Sequence, residues 1–228
     1  MKPQPTETTC GPTCLETIYK HLGFYEKEED LFDRIDTNED GGTLGVHLGT
    51  DALKQGFDVT IYTHNLNVFD PTWFQLKQKE IVQKLRTQSK SSKDSKTLFA
   101  SSSYADFIEM GGKIYFKDLN SSFLYDLLHS HGPVICGLSS TYLYHCARER
   151  DSDLKYDDIE GVPQGHFVIL SGIKKDLSQV FLADPFENNP AYKEQKYWVN
   201  LQHFINSVLI GVITYDANFI LIQKKVKK

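Results

Sequence analysis

The stretch Gly165-His166-Phe167-Val168-Ile169-Leu170-Ser171-Gly172 is an apolar run closed at both ends by glycine. It reads as a buried strand. His166 stands at its mouth, where a polar ring is costly without a partner or a purpose. The next run is Val180-Phe181-Leu182-Ala183-Asp184-Pro185. If the two pair as a hairpin around Lys174 to Ser178, Asp184 lies near the level of His166. A carboxylate there would accept the second imidazole N–H and set tautomer and tilt. Each residue also has an ordinary reading. Asp-Pro often just ends a strand, and most single histidines are structural.

Working outward, strands are predicted at Val134–Leu138, Val208–Thr214 and Phe219–Ile222, with a short helix at Asn200–Ile205 between them. The N-terminal part is helical. The first helix is predicted over Gly11–His21, capped by Thr8 or Thr9. Pro12 sits in its first turn, and Gly23 stops it. Further helices are predicted near Glu26–Ile35 and Leu44–Lys54, followed by a strand at Asp58–Tyr62. Others are predicted at Ser102–Met110 and Ser121–His129, with a brief strand at Ile114–Phe116 before the second. Helices first and strands later make an α+β fold and not an alternating βαβ chain. Residues 1–228 read as one domain of two packed lobes. Gln88-Ser89-Lys90-Ser91-Ser92-Lys93-Asp94-Ser95-Lys96 has no apolar period and is predicted as a mobile insertion near 88–97.

At 228 residues the chain buries enough surface to fold without staples. The net charge of −5 argues against a nucleic-acid binder. Cys10, Cys14, Cys136 and Cys146 make neither a disulfide scaffold nor a zinc pattern. The N-terminus carries no apolar signal segment, and no run is long enough to span a membrane. A soluble, cytoplasmic protein is expected, with signal-less export left open.

Cys10 immediately precedes Gly11-Pro12, where a helix begins. Unpaired backbone N–H groups and the positive end of the helix dipole favour a thiolate there. Gly11 is expected to let a substrate carbonyl approach the backbone. Against this stands the commoner fate of a lone cysteine, a small buried hydrophobe. A thiolate nucleophile needs a basic partner, usually histidine. Of eight histidines, His166 has the context for it. Gln4, six residues before Cys10, could point its side-chain amide above the thiol. That N–H and the backbone N–H of Cys10 would hold a developing oxyanion.

In this order, Gln4, Cys10-Gly11-Pro12, Gly165 to Gly172 and Asp184-Pro185 resemble the peptidase C39 branch of the papain-like cysteine peptidases. That branch includes the leader-cleaving domains of bacteriocin exporters. Thr8 to Leu15, the stretch from Gly42 to Tyr62, and Ser139, Thr141 and Tyr142 are more similar to its stand-alone, C39-like members. The similarity runs from Gln4 to about Tyr215 and is weakest near 88–97. The resemblance implies a papain-like α+β fold with the nucleophile helix on an antiparallel sheet. It implies Cys10 as nucleophile, His166 as base, Asp184 as orienting residue and Gln4 in the oxyanion hole, with no metal and no organic cofactor. The expected partner is a peptide or protein substrate. A stand-alone form without a transporter is expected, so the double-glycine leader of the exporter branch is not expected simply to carry over as its substrate.

Two other uses of the same residues stay open: acyl transfer to an amine, as in a transpeptidase or transglutaminase-like enzyme, and a non-catalytic module that holds a peptide. Other motifs carry little. Asp36 to Gly41 starts like an EF-hand loop, but the twelfth position is His47 and not a bidentate Glu. Asn120-Ser121-Ser122 is a glycosylation sequon without a signal peptide. His129, His131, His145 and Cys146 lack zinc spacing. Lys224 to Lys228 is a short basic tail, expected to be solvated.

Overall fold

Along the central strands, successive residues go to opposite sides of the sheet. Ile135, Phe167, Ile169, Ile220 and Ile222 join one core, while Cys136, Val168, Leu170, Phe219 and Leu221 join the other. This is the period-two alternation of a strand. With both faces covered, the residues in the middle of these strands are apolar on both sides, which is why the segments read as apolar runs. The computed structural model describes residues 1–37, 42–150, 152–153 and 155–225. Part of the EF-hand-like segment (38–41) and the end of the basic tail (226–228) lie outside the described residues.

The strands are β1 (Phe57–Thr63), β2 (Lys113–Tyr115), β3 (Val134–Ser139), β4 (Gly165–Ile173), β5 (Gln179–Ala183), β6 (Lys196–Asn200) and β7 (Asn218–Lys224). They form one sheet in the order β2-β1-β7-β3-β4-β5-β6. Every pairing is antiparallel except β1 with β2. The helices are α1 (Cys10–His21), α2 (Glu28–Arg34), α3 (Gly45–Lys54), α4 (Gln78–Ser91), α5 (Ser95–Glu109), α6 (Ser121–His131), α7 (Ser140–Tyr144) and α8 (Leu201–Ile210). Buried residues of α1, α3, α4 and α5 share the first core, and those of α6, α7 and α8 the second. The α+β class, with α1 packed on an antiparallel sheet, is therefore as expected.

α1 is held firmly. Leu15 and Ile18 are buried against the sheet, each contributing roughly 1.5–3 kcal/mol. Tyr19 donates to the buried carboxylate of Asp51 in α3 at 2.7 Å, and Arg34 of α2 donates to the same group at 3.0 Å. The helix ends in a Schellman motif: Gly23 takes φ +75°, Phe24 N–H bonds the Tyr19 carbonyl, and the two rings pack edge to face.

Three elements differ from the sequence expectations. Residues 88–97 are not an unstructured insertion. α4 continues to Ser91 and α5 begins at Ser95, leaving 92–94 between them. The polar residues are held by hydrogen bonds in place of apolar contacts. The Gln88 amide donates to the Val68 carbonyl at 2.7 Å and to Ser101 at 2.9 Å, and Asp94 caps α5 by accepting from Thr97 N–H. The apolar anchors Ile81, Val82 and Leu85 lie earlier in α4. Second, 208–214 is not a strand. α8 runs through it to Ile210, and a 3₁₀ turn follows over Gly211–Thr214. Leu201, Phe204, Ile205 and Val208 form its helical stripe, which a local apolar run conceals. Third, β6 is an unforeseen strand in which Tyr197 and Val199 point inward.

Candidate active site

Cys10 is the first residue of α1, so its backbone N–H is one of four without an intrahelical acceptor. Thr9 occupies the N-cap, but its hydroxyl does not cap the helix. It donates to the Thr6 carbonyl at 2.9 Å and accepts from Thr6 N–H at 3.0 Å, closing the turn that precedes Cys10. Gly11 is buried. A Cβ there would meet Phe167 at 3.2 Å and Leu48 at 3.3 Å. The missing side chain thus lets the start of α1 sit close on β4, and the expected opening for a substrate carbonyl is not what this glycine provides.

The two cysteines of α1 differ sharply. Cys10 is half-buried. Cys14 is fully buried and donates to the Phe167 carbonyl at 3.3 Å. Burial, reinforced by the charges of Cys10, Asp184 and Cys136, holds its thiol well above the ordinary cysteine value.

His166 is the second residue of β4, opposite Leu138 of β3. Its Nε2 lies 2.8 Å from Asp184 Oδ1. Sequence proximity alone does not produce this pair. Ile173 pairs with Val180 and Gly172 with Phe181, but Leu170 pairs with Leu182 and Ile169 with Ala183. Ser171 is the extra residue of a β-bulge. In an unbroken ladder Asp184 would fall on the face of Ile169. The bulge moves it to the face of Val168 and His166.

Asp184 is 0% exposed and His166 only 6%. Burial opposes the imidazolium, but the charges of Asp184 and Cys10 and the hydrogen bonds to both outweigh it, and the His166 pKa is pushed up to about 10. Burial alone would raise the Asp184 carboxyl. The His166 charge and the bonds from His166, Tyr197 and Tyr144 hold it below the usual carboxylate range. Asp184 Oδ1 also accepts the Phe186 N–H at 2.9 Å. Oδ2 accepts the Tyr144 hydroxyl at 2.7 Å and the Tyr197 hydroxyl. The two tyrosines escaped the sequence reading: one sits in a five-residue helix and the other in the unforeseen β6.

The structure thus brings Cys10, His166 and Asp184 together. Gln4 is placed differently. Its backbone N–H donates to the Pro185 carbonyl at 2.9 Å, beside Asp184. Its side-chain amide, expected above the thiol, donates to the carbonyls of Thr6 at 3.0 Å and Glu7 at 3.4 Å. Its Oε1 is buried without a hydrogen-bond partner among the described residues. His129, His131, His145 and Cys146 have other surroundings: His129 stacks on Tyr125, His131 accepts from Gln223, and His145 meets His203 and Tyr142. Among the described residues, no group of three or more His, Cys, Asp or Glu is placed to hold a metal ion. No helix among them is long and apolar enough to cross a membrane.

No family model matches the chain, and no curated protein matches it. Two solved structures are similar to it over nearly the whole length. One is a double-glycine-motif protease from an AMS/PCAT transporter, solved in complex with the leader peptide. It is 10% identical with a TM-score of 0.44, over 98% of this chain and 89% of that one. The other is the peptidase domain of Streptococcus ComA, a bifunctional ABC transporter of a quorum-sensing pathway, at 14% identity and a TM-score of 0.46, over 98% of this chain and 97% of that domain. Both of these similar structures are peptidases of transporters.

Proposed function

We propose that this protein is a cysteine peptidase that hydrolyses a peptide or another amide bond through Cys10, His166 and Asp184. One observation carries the reading. His166 gives Nε2 to a fully buried carboxylate, and its remaining ring nitrogen is left for Cys10, whose contact helps to raise the imidazole pKa. A half-buried thiol at a helix N-terminus, an imidazole beside it and a carboxylate behind the imidazole are the parts of nucleophilic acyl transfer.

In this mechanism His166 holds the thiol proton as imidazolium. Cys10 Sγ attacks the carbonyl carbon, and the carbonyl π electrons move onto oxygen as an oxyanion. As the oxyanion collapses, the C–N bond breaks and His166 hands its proton to the leaving amine. A thioester remains. His166 then takes a proton from water, whose oxygen attacks the thioester. The C–S bond breaks, releasing the acid and restoring the Cys10–His166 pair. The backbone N–H of Cys10 is the first oxyanion donor in this scheme. Gln4 is the second, once the turn before Cys10 releases one amide N–H. Of its two bonds, the 3.4 Å bond to Glu7 is the weaker.

The test uses iodoacetamide, with each cysteine read by mass spectrometry. At pH 6 Cys10 is expected to alkylate well ahead of Cys14, Cys136 and Cys146, and His166→Ala to remove the lead. A peptide library should then be cleaved by the wild type and not by Cys10→Ala. Equal rates at all four cysteines, unchanged by His166→Ala, would overturn the proposal. Incorporation of an added amine into product in place of water would make the enzyme an acyl transferase on the same residues.

A further inference from the structure

Asp184 has four hydrogen-bond donors on two oxygens. Oδ1 takes His166 Nε2 and the Phe186 N–H, and Oδ2 takes the hydroxyls of Tyr144 and Tyr197. A carboxylate has about four lone-pair sites, so this one is saturated. We infer that Tyr144 and Tyr197 are positioning residues of the site, which clamp Oδ2 so that Oδ1 stays aimed at His166. The inference rests on the proposed role of Cys10 and His166, and it deepens that reading.

The clamp comes from two unrelated elements. Tyr144 ends α7 and Tyr197 lies in β6, on the same sheet face as Leu182 and Asp184. Two donors from different directions hold Oδ2 and, with the Phe186 N–H on Oδ1, fix the plane of the carboxylate about its Cβ–Cγ bond. Both side chains are buried, Tyr144 to 5% and Tyr197 to 6% exposure, and Tyr192 stacks face to face on Tyr197. Burial and the Asp184 charge push both phenols far above their ordinary range, so they stay protonated donors. The other titratable groups facing the Asp184–His166 pair are Cys10 and Cys14 from α1 and Glu149 from the segment before β4. None of these donates to Oδ2.

The two hydroxyls stabilise the charged carboxylate, so their removal raises the pH at which Asp184 takes up a proton. The measurement is the His166 ring nitrogen shift on the full chain, followed by NMR from the acid range to above pH 10. It is made in wild type, Tyr144→Phe, Tyr197→Phe and the double variant. The acid-side inflection is expected to move up by about one pH unit for each hydroxyl lost. Above about pH 10, where the ring gives up its second proton, the neutral ring should also pass from a single Nε2–H tautomer to a mixture, and the acid limb of Cys10 alkylation should follow the inflection. Space-filling tyrosines would give folded Phe variants with unchanged inflection and tautomer, and that result overturns the inference. The single variants decide the matter if the double variant does not fold. Because the ring is read in unreacted protein, an inert Cys10 would sink the proposed hydrolase without touching this measurement.

Discussion

The backbone N–H of Gln4 donates to the carbonyl of Pro185 at 2.9 Å. The segment leading to Cys10 is thereby tied to the residue after Asp184. This brings Gln4 to the site by its backbone, while its amide is spent on the turn at Thr6 and Glu7. Gln4→Ala is expected to slow peptide hydrolysis about 10²–10³-fold, the usual cost of losing one oxyanion donor. It should leave Cys10 alkylation by iodoacetamide unchanged, since displacement of iodide builds no oxyanion. A hydrolysis rate equal to wild type would remove Gln4 from the mechanism.

The Asp184–His166 pair predicts a pH-dependent stability. His166 is raised from 6.5 to about 10, so its contribution is complete below pH 6.5 and fades as pH rises through about 10. Asp184 is lowered from 3.8, so its contribution is present above that value and fades as pH falls through the folded-state value. The pair therefore stabilises most between pH 3.8 and 6.5. Urea midpoints of the wild type should fall more steeply from pH 6 to pH 10 than those of His166→Gln. Parallel curves would show that the pair is not coupled to folding.

Deleting Ser171 tests the bulge. Ser171 is the residue without a partner in β5, so its removal joins the Leu170–Leu182 and Gly172–Phe181 pairs into a regular ladder and leaves Asp184 level with Val168. His166 and Asp184 should therefore still meet. A His166 titration by NMR that stays close to 10 is expected. A value near the ordinary histidine value would mean that the bend and twist of the bulge, and not the register alone, aim the carboxylate at the ring.

Gly137 in β3 lies against the turn that carries Asp216. A Cβ there would overlap the Asp216 carbonyl oxygen and come within 3.0 Å of Phe167 Cε1. Backbone cannot swing aside as a side chain can, so Gly137→Ala should cost about 1–3 kcal/mol, the usual range for overpacking. Urea unfolding measures this directly, and an unchanged midpoint would show that the turn yields freely.

Much of the site was legible because its signals are local. Cys10 at a helix start, His166 at the mouth of an apolar strand and Asp184 at the end of the next strand are each marked by their neighbours. Gly23 announced the end of α1 because a Schellman turn needs a residue that accepts positive φ. Elsewhere local pattern misled. Residues 88–97 lacked an apolar period because hydroxyl and amide hydrogen bonds hold the end of α4 and the start of α5. The run at 208–214 looked like a strand because its helical stripe had begun at Leu201.

The sequence by itself determined the α+β class, the helix that carries Cys10, and the hairpin that brings Asp184 toward His166. Each depends on short-range periodicity and turn chemistry. Tertiary structure alone decided which face of the sheet Asp184 occupies, because that depends on one unpaired residue at Ser171, and a ladder's register is set by all its neighbours. It also decided that Gly11 serves packing, that the Gln4 amide closes a turn, and that Tyr144 and Tyr197 converge on one oxygen of Asp184. These contacts join residues far apart in the chain, and no local pattern encodes them.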